Sequence, residues 1–109
     1  MLYIELTDGT RGTAWDVSTW FLREYLHHKD ISLTIEEIDL SKEGVEGWCI
    51  RESESRFTIQ IDTNLQYDFI QVLLHELEHL RQYVFGEPRD EYETYHMESE
   101  LLDKYMNKE

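Results

Sequence analysis

His75 and His79 stand four residues apart in the run Leu74-His75-Glu76-Leu77-Glu78-His79. On a helix that spacing stacks two imidazoles on one face, one turn apart. Zinc takes neutral imidazole nitrogens at about 2.0–2.1 Å, and a helix offers two of them from a rigid support. Glu76 precedes His79 by three, so its carboxylate rises beside the same face. There it can take a proton from a metal-activated water instead of ligating the metal itself. With five His in 109 residues, composition alone supplies only roughly 0.03 chance matches to this pattern. The competing reading, two surface His on a solvated helix face, is the less economical one.

A catalytic zinc usually takes three protein ligands and keeps one position open. No third His follows at the spacing of the long metzincin motif, where Gly86 and Glu87 stand instead. The downstream segment offers Glu91, Glu93, His96 and Glu98, and sequence geometry alone does not choose among them. Glu98 falls in the stripe of Thr94, Leu101, Leu102 and Tyr105 and is expected to face inward. Glu93 borders that stripe, one turn before Met97.

The elements that must hold these residues are legible from periodicity. Residues 2–6 read as a short strand ended by Asp8-Gly9. Thr13 and Asp16 resemble a capping pair that opens a helix over about 13–28, with Trp15, Leu22, Tyr25 and Leu26 at helical spacing. The period then becomes two: Leu33 and Ile35, Trp48 and Ile50, then Phe57, Ile59 and Ile61 alternate with polar residues. Short turns between these runs predict an antiparallel meander. From about 65 to 85 the period returns to 3.6, with Ile70, Leu73, Leu74, Leu77, Leu80 and Val84 as the apolar stripe. Gly86 and Pro88 stop that helix. His75, Glu76, His79 and Tyr83 lie largely opposite the stripe, so one face packs and the other presents chemistry. A last helix is predicted over about 90–106. The order is one α+β domain spanning 1–109.

Composition narrows the function. Apolar residues make up 40 % of the chain, enough for one core, so an acidic disordered tail is excluded. The net charge of −14 disfavours nucleic-acid binding through a basic patch. It leaves open an acidic interaction module that mimics DNA, with the motif vestigial. The single Cys49 rules out an intrachain disulfide and a zinc-finger framework. Neither a signal peptide nor a membrane span is read, so the cytoplasm is the expected location and a monomer the expected state. Cys49 reads as a strand residue, His27 and His28 as partners of a helix C-terminus, and Trp15, Trp20 and Trp48 as core.

The stretch Leu74–Tyr83, then Gly86, then Tyr92-Glu93-Thr94-Tyr95-His96-Met97-Glu98, resembles the gluzincin clan of HExxH zinc metallopeptidases. It is most similar to the single-domain minigluzincins and SprT-like proteins of bacteria, archaea and phages. Those proteins often continue the motif as HExxHxxQ, matched here by Gln82, and take a third ligand from a downstream Glu in an E-A-Y/F-like setting. The resemblance places that ligand on Glu93. It implies one zinc per chain on His75, His79 and Glu93, with Glu76 as general base in peptide hydrolysis. It also implies an N-terminal helix, a small antiparallel-rich sheet, the motif helix and a Glu-bearing C-terminal helix. A peptide or protein substrate is expected to lie along a sheet edge, for which the segment around 46–51 is the candidate. Thr94 departs from the usual Ala. Met97 stands where larger gluzincins carry an acid that orients one His, which leaves Glu98 or a backbone carbonyl for that task. Tyr95 and Tyr83, with Tyr92 and His96, are the candidates for stabilising a developing oxyanion, although helical tyrosines more often pack. A metal that is only structural, or an activity that is latent, is the remaining alternative to hydrolysis.

Overall fold

The computed structural model describes residues 1–88 and 90–108. Its elements are β1 (Leu2–Leu6), α1 (Thr13–Tyr25), β2 (Ile31–Ile38), β3 (Gly47–Arg51), β4 (Arg56–Asp62), α2 (Phe69–Val84) and α3 (Glu91–Met106). The chain is therefore an α+β domain, as its periodicities imply.

The sheet departs from the expected meander. Its strand order is β1-β2-β4-β3, with β1–β2 and β2–β4 parallel and only β3–β4 antiparallel. Helix α1 is the crossover between β1 and β2, the connection that a parallel pair requires. The hairpin β3–β4 forms as predicted, but β4 takes the inner place. The reason is burial: Phe57, Ile59 and Ile61 of β4 are fully buried, whereas Ile50 of β3 is 40 % exposed. A strand with that much open surface is suited to an edge, and β3 occupies one.

Leu33 and Ile35 of β2 point with Phe57, Ile59 and Ile61 of β4 into one core with Ala14, Val17, Phe21 and Leu22 of α1 and Leu73, Leu74, Leu77 and Leu80 of α2. That choice of α1 face turns Trp15 outward, 48 % exposed, and leaves Trp20 and Trp48 half-buried. The tryptophans are thus rim residues and not the core that composition suggested. Helix α1 is also shorter than expected. It ends at Tyr25 because Leu26 leaves helical geometry (φ −133°) to enter the core. His27 and His28 follow it in a turn, with rings 5.1 Å apart. Thr13 does not cap the helix; Gly12 is the N-cap, without a side-chain bond.

The loop before α1 is anchored by Arg11. Its Nε donates to Glu37 Oε1 at 3.0 Å and its Nη2 to Glu37 Oε2 at 2.6 Å. The same Nη2 donates to the carbonyl of Leu65 at 3.0 Å, and the guanidinium lies 4.1 Å from the Phe69 ring centroid. One charged group thus joins β2, the α2 approach and the first turn of α2. At the other end, Gly86 (φ +69°) allows a Schellman closure: Gly86 N donates to Tyr83 O and Glu87 N to Gln82 O. This reversal sends the chain back along α2, and Asp90 caps α3 by accepting from Glu93 N at 3.1 Å. No helix of the described residues is long and apolar enough to cross a membrane.

Candidate metal centre

Helix α2 is covered on more than one side. Its residues Leu73 to Leu80 are all buried, because α3 lies over the face that the apolar stripe leaves free. The histidine face therefore meets α3, the helix from which a third ligand was expected. From α3, Thr94, Glu98, Leu101 and Tyr105 are buried, Thr94 and Glu98 through bonds to α2.

The carboxylate that meets the imidazoles is that of Glu91. Its Oε1 lies 3.6 Å from Nε2 of His75 and forms a closer ion-pair contact with Nε2 of His79. One ligand atom from each of His75, His79 and Glu91 falls within 4.8 Å of the others. Two imidazole nitrogens and a carboxylate form a donor set that suits zinc, so these residues fit a bound divalent metal. Glu93, the residue favoured by the resemblance, is exposed. Two residues on from Glu91 it is turned by about 200° around α3, away from α2. His96 is exposed as well and lies outside the cluster.

Glu98 sits seven residues after Glu91, on the same face. Its Oε2 is 2.6 Å from Nδ1 of His75, and its Oε1 accepts from Gln71 Nε2 at 2.8 Å. It is therefore the group that orients His75, one of the two roles open to it. Nδ1 of His79 is 3.1 Å from Gln82 Oε1, and Gln82 Nε2 donates to Thr94 Oγ1 at 2.9 Å. Both rings thus direct Nε2 toward Glu91 while Nδ1 is engaged behind (an arrangement typical of histidines that ligate metals).

Glu76 is buried and lines a cleft of about 390 Å³ with His75, Glu91, Tyr95 and Glu98. The cleft extends to Gly47, at the start of the edge strand β3. Gly47 has a packing reason to lack a side chain. A Cβ there would come within 3.1 Å of Gln60 O, Ile61 Cδ1 and Val72 Cγ1. The other motif acid, Glu78, is taken out of play by Arg81, whose Nε and Nη2 donate to its two oxygens at 2.8 Å. That hydrogen bonding raises the guanidinium pKa above its ordinary value.

Of the aromatic candidates, Tyr95 is at the site, its ring 4.7 Å from that of His75. Tyr83 is not; it stacks on Phe57 at 6.3 Å and packs the core. Tyr92 points to solvent, 85 % exposed. Cys49 is buried in β3, as its strand setting suggested. Gln71 carried no prediction, although its place one turn before His75 on the same helix face was the available signal.

No protein-family profile matches the chain, and no curated protein or solved structure matches it. The specific motifs of the gluzincin resemblance lie within residues 74–98.

Proposed function

We propose that the protein is a zinc-dependent peptidase. The observation that carries this reading is the convergence of His75, His79 and Glu91 within 4.8 Å, beside a cleft that Glu76 also lines. A bound zinc supplies Lewis acidity toward a water and a peptide carbonyl. The protein's own contribution is the rest. Glu76, three residues before His79, takes the proton of the attacking water and returns it to the leaving amine. Tyr95, at the cleft wall against His75, is the side chain suited to donate toward the developing oxyanion. The edge of β3 offers backbone groups to an extended peptide, and the absent side chain of Gly47 leaves room at the near end.

A metal held without hydrolysis is the rival reading, favoured by the burial of His79 (1 % exposed). Elemental analysis of the purified protein, paired with Glu76→Gln on a peptide library, separates the two. Zinc in both proteins with cleavage only in the native one supports the peptidase. Zinc in both with cleavage in neither leaves the metal structural, and no zinc after reconstitution removes both readings.

A further inference from the structure

His79, Gln82, Thr94 and the backbone of Asp90 form a chain of hydrogen bonds whose direction is set at one end. Thr94 Oγ1 lies 2.6 Å from Asp90 O. A backbone carbonyl can only accept, so the threonine hydroxyl must donate its one proton there. Toward Gln82, 2.9 Å away, the same oxygen can then only accept. The Gln82 amide must present its NH2 to Thr94 and its carbonyl oxygen to His79. That oxygen, 3.1 Å from Nδ1, also only accepts, so Nδ1 carries the proton. Gln82 and His79 are each 1 % exposed and Thr94 is fully buried, so no bulk water can substitute for any link.

We propose that Gln82 and Thr94 are positioning residues that set the tautomer of His79. They hold a proton on Nδ1 and leave Nε2 as the ring nitrogen that faces Glu91. The chain starts at Asp90, the N-cap of α3, and Glu91 is the next residue. The link that chooses the tautomer of one ligand therefore also locates the helix that brings in another. This inference rests on the metal-centre reading for its purpose but not for its hydrogen bonding.

The test reads the tautomer directly. Glu91→Ala removes the carboxylate in contact with Nε2 of His79, so that the influence of Gln82 on the ring can be read without it. In the metal-free Glu91→Ala protein, at a pH where the ring is neutral, ¹⁵N–¹H long-range correlation is expected to show the Nδ1-protonated form. Adding Thr94→Val, which keeps the shape and deletes the hydroxyl, frees the amide to flip and should give a mixture. Thr94→Ser should restore the single form. In the otherwise native chain, Thr94→Val should weaken zinc binding by roughly tenfold and Thr94→Ser should not. An Nε2-protonated ring, or a tautomer indifferent to Thr94→Val in a protein with unchanged circular dichroism, overturns the proposal. A protein that shows the expected tautomers yet binds no zinc keeps the relay and loses the peptidase reading.

Discussion

Glu98 lies 2.6 Å from Nδ1 of His75, on the far side of the imidazole from Glu91, whose Oε1 is 3.6 Å from Nε2. The ring is thus held between two carboxylates of one helix, seven residues and about two turns apart. One orients it and the other shares its open face. Replacing Glu98 with Ala should weaken zinc binding by about 10–100-fold, the usual effect of losing a ligand's partner. Competition with a chromogenic chelator measures this, and an unchanged affinity would remove Glu98 from the site.

Glu91 and Glu93 make opposite predictions. Glu91→Ala should abolish stoichiometric zinc at micromolar metal, whereas Glu93→Ala should bind as the native chain does. Elemental analysis after gel filtration decides it. The reverse result would mean that α3 sits about half a turn from where the structure has it.

Metal should stabilise the fold by mass action. Free zinc at about 100 times Kd adds about 2.7 kcal/mol, which for a domain of this size raises Tm by roughly 10–20 °C. A chelator should reverse the shift in a circular-dichroism melt. Hydrogen exchange should quicken first over residues 91–98, because Thr94 and Glu98 are the buried residues in that half of α3 and both dock through polar bonds.

The Arg11–Glu37 pair predicts an acid-sensitive contribution to stability away from the site. The hydrogen bonds from Arg11 hold the Glu37 carboxyl below the ordinary glutamate range, against the opposing effect of burial. Its stabilisation is complete above the unfolded-state value of about 4.3 and is lost as pH falls through the lower folded value. Glu37→Gln should be less stable than the native chain at neutral pH, with the difference shrinking on acidification. Urea midpoints measured from neutral pH down through the carboxylate range read it; a constant difference would rule the linkage out.

Gly47→Ala should destabilise by about 1–3 kcal/mol, because the added Cβ meets a backbone oxygen and two core side chains at 3.1 Å. Chemical denaturation measures the loss. Cleavage should fall with it if the cleft wall moves.

Helix α2 and its residues His75, Glu76 and His79 were legible in the sequence, because a 3.6-residue period and an i, i+4 spacing are local properties that any helix turns into one face. The class of donor, the capacity for one divalent metal and the α+β order follow from the same local patterns, as does the β3–β4 hairpin. Three things were decided only by tertiary structure. Strand β4 rather than β3 lies beside β2, since Phe57, Ile59 and Ile61 gain more from the interior than Trp48 and Ile50 do. Glu91 rather than Glu93 meets the imidazoles, since the Gly86 reversal and the Asp90 cap set where α3 begins and hence which residues face α2. And the second nitrogen of His75 finds its partner, Glu98, across the contact between α2 and α3, while Gln82, the partner of His79 within α2, is itself held by Thr94 of α3. Spacing along one helix fixes angles within it; the rotation of one helix against another depends on every side chain packed between them.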